Sequence, residues 1–131
     1  MAVTQIKAGS GGGSGWSKED LLWTNPNPSA TFDYANCTMA HSIQDYDYLK
    51  VKCKNSSNAE FYSICPVENI VNNIARGIVG SSGNDVAYRS LSRVNGSDTV
   101  IEINRAYPVN SSASSGVNNV FTPLEVVGLK L

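Results

Sequence analysis

The chain carries one histidine, His41, and three cysteines, Cys37, Cys53 and Cys65. Transition-metal sites draw on His and Cys clustered at short spacing, and no CxxC pair or comparable cluster occurs, so no metal or other cofactor is expected. The same scarcity limits nucleophilic catalysis. A serine nucleophile needs a base held by a third group, His41 is the one candidate base, and no GxSxG elbow supports it. Asp45 and Asp47 flank Tyr46, and in an extended segment both would share a face, where they could serve a calcium ion or a sugar. A solvated turn ahead of Tyr48 is the plainer alternative. Among eleven acids nothing singles out two as a glycosidase couple. The glycine-rich run 9–15 lacks the Lys-Ser/Thr and the following helix of a phosphate loop. These residues predict a protein that is not an enzyme.

Aromatics are the remaining chemistry: two Trp, six Tyr and three Phe. Saccharide sites set an aromatic face against apolar C–H patches and use Asn, Asp or Arg for hydroxyls, and the chain holds both sets of residues. Most of the rings are needed for a core or an interface. Tyr107 and Phe121, which flank a long stretch without period, are the two expected as exposed ligand contacts.

The elements that would position them read as short strands separated by polar turns. Residues 21–23 make a first strand stopped by the prolines at 26 and 28, and 32–41 alternate in part. In 48–53 the alternation is clean, with Leu49, Val51 and Cys53 on one face and Lys50 and Lys52 toward solvent. A loop at 54–58 and a partner strand at 60–65 complete a hairpin. Residues 67–74 are irregular or form one helical turn, because Ile70, Val71 and Ile74 fit a helix while Asn72 and Asn73 weaken it. A second meander runs through 76–80, a turn at 81–84, and 86–94. Asn95-Gly96 then signals a hairpin into 99–103, since both residues accept positive φ cheaply. The stretch 105–122 has no period. The last strand, 124–131, sets Leu124 and Val126 on one face and Val127, Leu129 and Leu131 on the other, so cover is expected on both sides. The pattern predicts an all-β, antiparallel β-sandwich, jelly-roll-like or a small barrel.

At 131 residues the chain is one domain, and a formal charge of −1 provides no footprint for nucleic acid or anionic lipid. No apolar run approaches the roughly 20 residues that span a bilayer, and residues 1–15 contain no signal-type apolar core, so neither membrane insertion nor secretion is expected. No disulfide scaffold is expected: Cys53 and Cys65 flank the first hairpin and could face each other, but small buried free thiols in strands are the plainer reading. Asn-x-Ser/Thr triplets at Asn36, Asn55, Asn95 and Asn110 read as turn chemistry.

The N-terminal organisation is a short apolar peptide, 1–8, a Gly/Ser hinge, 9–15, and a head, 16–131. The hinge reaches about 15 Å as a flexible coil. It is either an artificial linker or a native tether, and the opening residues favour the tether, with Val3 and Ile6 as the anchoring pair. A thin stability margin, an apolar N-terminal peptide and a last strand apolar on both faces suggest subunits that share core, most plausibly a homotrimer or a dimer.

Four segments occur in a familiar order: Glu19-Asp20-Leu21-Leu22-Trp23-Thr24-Asn25-Pro26-Asn27-Pro28, Tyr46-Asp47-Tyr48-Leu49-Lys50-Val51, Tyr88-Arg89-Ser90, and Pro123-Leu124-Glu125-Val126-Val127-Gly128-Leu129-Lys130. Together, over about 110 residues, they resemble the C-terminal head domains of bacteriophage tail-fibre and receptor-binding proteins, and similar domains on head fibres. The resemblance implies a β-sandwich head, commonly trimeric, located on a virion assembled in the host cytoplasm. Its partners would be capsid or tail proteins through the N-terminus and a host-surface glycan or protein through variable loops. It carries over no catalytic residues. A capsid decoration or head-fibre role differs only in what residues 1–8 grip, and a cellular carbohydrate-binding module or adhesin is a reading of a different class. Long fibres carry a shaft ahead of such a head, whereas here a short peptide and a hinge precede it.

Overall fold

A computed structural model describes residues 15–109 and 117–131. Nine strands occur among them: β1 (Lys18–Thr24), β2 (Ala35–Thr38), β3 (Tyr48–Asn55), β4 (Glu60–Pro66), β5 (Gly77–Ser82), β6 (Asp85–Arg93), β7 (Val100–Ile103), β8 (Tyr107–Pro108) and β9 (Phe121–Lys130). One short α-helix among the described residues, α1 (Val67–Val71), follows β4 and buries Val67 and Ile70. All pairings are antiparallel and build two sheets, β1-β9-β3-β4 and β2-β7-β6-β5, with β8 beside β6. The expected all-β sandwich is the fold. The chain ends nest, β1 on β9 and β2 on β7, β3 lies on the other side of β9, and β3–β4 and β5–β6 are local hairpins.

The two-residue period of β3 fixes which face is core. Leu49, Val51 and Cys53 are buried, and the register carries that face to Val126 of β9 and Cys65 of β4. From the second sheet Ile78, Ala87, Leu91, Ile101 and Ile103 meet them. On the other face Lys50 pairs with Glu19 at 3.2 Å and lies over the Tyr62 ring, and Lys52 pairs with Glu60 at 3.2 Å. Side chains, not a ladder, close the seam between β4 and β5. Ser63 Oγ donates to Val79 O at 3.4 Å, Asn55 Nδ2 to Ser81 O at 3.2 Å, and the Ser56 and Ser82 hydroxyls pair.

Turns supply the conformations their residues favour. Gly83, at the first turn position between β5 and β6, takes a φ of 61°, and Asn95 and Gly96 take 53° and 73° in the β6–β7 connection. The Asn55 carboxamide accepts from Ser57 N and Ala59 N to shape the β3–β4 loop. Asn36 departs from the turn reading: it is exposed on β2, paired in register with Glu102.

Two further expectations change. The last strand begins at Phe121, not 124, because a bulge opposite Lys52 and Cys53 lets Pro123 sit in the strand where a ladder donor is not needed. Its two apolar faces are covered within one chain: Val126 lies in the core, and the outward Val127 and Leu129 are buried between their neighbours on β1 and β3, while Leu131 is exposed. A strand apolar on both sides is therefore satisfied as an inner strand, and it supplies no reason for a second chain. The plainer reading of the cysteines holds: Cys53 and Cys65 share the inner face but sit at opposite ends of the hairpin, Cys53 opposite Phe61 and Cys65 opposite Leu49, and all three cysteines are free and buried. The N-terminal segment 1–14, with Val3 and Ile6, and the residues 110–116, with Asn110, lie outside the described residues.

Candidate functional site

On β6 alternation sends Ala87, Arg89 and Leu91 inward and Val86, Tyr88 and Ser90 outward. Register extends the outward set into a row across three strands, Val79 of β5, Tyr88 of β6 and Tyr107 of β8. The two tyrosine rings stack with centroids 5.6 Å apart and planes 30° apart. One step along the strands, Val86 stands opposite Ser81, and Val109 donates its amide to Val86 O at 2.9 Å. One step the other way, Ser90 faces Gly77 and is joined to Asn104, whose amide donates to Ser90 O at 3.0 Å. The result is an apolar, aromatic centre with a hydroxyl and amide margin. Neither phenol hydroxyl has a hydrogen-bond partner among the described residues. A Cβ at Gly77 would meet only Arg89 O, at 3.7 Å, so the margin beside Ser90 is an open shelf.

Beneath this row lies Arg89, fully buried. Its Nη1 donates to Asp33 O and Asn104 O, each at 3.1 Å, and its Nη2 to Phe32 O at 2.7 Å, Asn118 O at 3.0 Å and Phe121 O at 2.9 Å. The guanidinium centre is 5.1 Å from both the Phe32 and the Phe121 ring. Desolvation pulls its pKa down to about 10, which still leaves it charged at neutral pH. Five carbonyls from three connecting segments thus converge on one cation. Asn118 reinforces them, its carboxamide accepting from Ala106 N at 2.8 Å and donating to Asp33 Oδ1 at 3.0 Å. This network holds the 104–106 connection, and with it Tyr107, against Tyr88.

Tyr107 is accordingly exposed on this row, as expected, but Phe121 is not. Its ring is fully buried, edge-on to Phe61 at 5.6 Å and packed under Gly80, so it supports the core and cannot contact a ligand. As the first residue of β9, Phe121 takes the strand's inward phase. Val79, Tyr88 and Val109 are absent from the residues that the sequence singles out. The available signal was the phase of 86–94, in which an outward tyrosine neighbours an inward arginine.

The other candidates carry less. Asp45 closes a 3-10 turn at 43–45, so strand alternation does not pair it with Asp47, whose carboxylate accepts from Leu131 N at 2.8 Å and lies 3.8 Å from Lys130 Nζ. Asp47 also borders a depression of about 340 Å³ between Gln44, Tyr46, Glu68 and Asn72. No group of three or more His, Cys, Asp or Glu able to hold a metal occurs among the described residues. Burial pushes the thiols of Cys37 and Cys53 up to about 12 and that of Cys65 to about 11, so at neutral pH they are unreactive packing groups. No helix among the described residues is long and apolar enough to cross a membrane.

Comparison with known proteins finds no matching family model, no similar curated protein and no similar solved structure.

Proposed function

We propose that the chain is a non-enzymatic virion appendage protein whose β-sandwich head attaches a phage particle to the host surface. The observation that carries the reading is the Tyr88–Tyr107 row, an exposed aromatic surface held on a rigid sheet by the Arg89 network. Contiguous exposed apolar patches often mark binding surfaces. The ordered resemblance of the four segments to phage heads supplies the class, and the Gly/Ser hinge supplies a way to hang the head from a capsid or tail partner through Val3 and Ile6.

Two variants of the particle test this. Deleting residues 1–13 is expected to abolish incorporation into virions, because the grip is assigned to 1–8. Tyr107→Ala is expected to leave incorporation intact and to lower adsorption to host cells at least tenfold. Unchanged adsorption by Tyr107→Ala particles would sink the attachment role of this face, and normal incorporation of the deletion would sink the tether.

A further inference from the structure

We infer that Tyr88 and Tyr107 form a covalent cross-linking site, at which peroxide-driven one-electron oxidation joins the two rings as dityrosine and ties β8 to β6. The inference is independent of the attachment reading. The two residues stand directly opposite each other in register, and their rings stack with centroids 5.6 Å apart and planes 30° apart. Exposures of 40% and 37% leave both rings open to an oxidant arriving from solvent. The backbone keeps them together. Val109 N donates to Val86 O on one side of the pair and Asn104 N to Ser90 O on the other, while Arg89 Nη1 holds the Asn104 carbonyl from below. Two phenoxyl radicals formed here meet without diffusion, the advantage of any reacting pair already held in place.

The other tyrosines have different neighbours. Tyr46 is buried and donates to Asp20, Tyr48 packs on Trp16, Tyr62 lies beside Lys50 and Tyr34 beside Arg105. The three thiols, which an oxidant would otherwise attack first, are buried. In the coupling each phenol loses one electron and its hydroxyl proton, and one C–C bond forms between ring carbons ortho to oxygen. Each of those carbons then releases its hydrogen as a proton, and each oxygen takes one back. Hydrogen peroxide accepts the two electrons and two protons and becomes two waters, so the chain ends two hydrogen atoms lighter. The bond widens the span between the two side chains; the broad χ2 torsions of tyrosine take up part of the change, and β8, two residues long, can follow. All three cysteines are free, so among the described residues this bond would be the one covalent tie between strands. It closes a loop over residues 88–107, which restricts the unfolded chain.

The test treats the full chain, in dilute solution, with a haem peroxidase and hydrogen peroxide. A 14.0 kDa monomer two hydrogen atoms lighter, carrying dityrosine fluorescence, is expected. Trypsin cuts after Arg89 and Arg105, which places the two tyrosines on separate peptides, and these should emerge from the product as one linked species. The linked chain should also unfold at a higher urea midpoint than the untreated chain. Tyr88→Phe and Tyr107→Phe each keep the ring and remove the phenol, so each should abolish the lighter monomer. No lighter monomer from the parent chain overturns the site. So does its persistence in either variant, or dityrosine found only between chains through Tyr34 or Tyr62.

Discussion

Arg89 shows how one side chain can organise a surface it never reaches. Taking a guanidinium out of water costs several kcal/mol, and hydrogen bonds from a charged donor return about 1.5–3 kcal/mol each, so the carbonyls around Nη1 and Nη2 and the two ring faces offset much of the burial, while Nε is buried with no partner among the described residues. Removing the donor is a different matter, because the carbonyls of Phe32, Asp33, Asn104, Asn118 and Phe121 would face the interior unpaired. Arg89→Met, which matches length without donors, is expected to lower unfolding stability by about 3–5 kcal/mol in urea titration. It should also speed amide exchange around 104–107, since Tyr107 is positioned through Asn104. A loss under about 1 kcal/mol would show that the three segments hold together without the cation. Arginine in the inward phase between Ala87 and Leu91 contradicts the apolar pattern of a buried strand face. Such a contradiction marks a site where backbone acceptors outnumber their local donors, and the alternation of residues 86–91 is enough to reveal it.

At the level of elements, β5 offers a controlled comparison because its glycines differ in environment. A Cβ at Gly80 would lie 2.5 Å from Phe61 Cζ and 2.6 Å from Phe121 Cδ1, inside the core, whereas one at Gly77 meets a single carbonyl at 3.7 Å on the outer face. Gly80→Ala is expected to cost about 1–3 kcal/mol through overpacking, and Gly77→Ala less than about 0.5 kcal/mol, both read from the urea midpoint. Equal effects would mean that the aromatic pair under Gly80 yields easily. The elements themselves were largely legible. Leu49, Val51 and Cys53 against Lys50 and Lys52 identify β3 by period alone, and Asn95-Gly96 marks the β6–β7 connection. Less legible was anything set by non-local register. The start of β9 at Phe121 depends on a bulge against β3, and the tyrosine row depends on β8, two residues long, finding β6 across the 104–106 connection. No window of sequence contains both halves of such a contact. Phe121 therefore looked like a loop residue, and Tyr88 like any strand tyrosine.

For the whole molecule the proposed attachment role depends on how many chains act together. The two motives for a trimer within the head are a strand apolar on both faces and a thin core. The first is met inside a single chain, where β9 lies between β1 and β3 with Val127 and Leu129 already covered. On that same sheet the exposed Leu21 and Ile64 stand at opposite ends of one cross-strand row, separated by Val127 and by Lys50, which is paired to Glu19. The full chain is therefore expected to sediment as a 14.0 kDa monomer at about 50 μM, in contrast to the trimers that the resemblance implies. Under the proposed attachment role, strength would come from many heads on one particle, which can raise avidity by roughly 10² to 10⁴ over a single site. Soluble chain should accordingly compete with particle adsorption only near millimolar concentration, while adsorption itself falls steeply as the number of heads per particle is reduced. A species of three chain masses in the ultracentrifuge, or competition by soluble chain at micromolar concentration, would place the multivalency in the head and not in the particle.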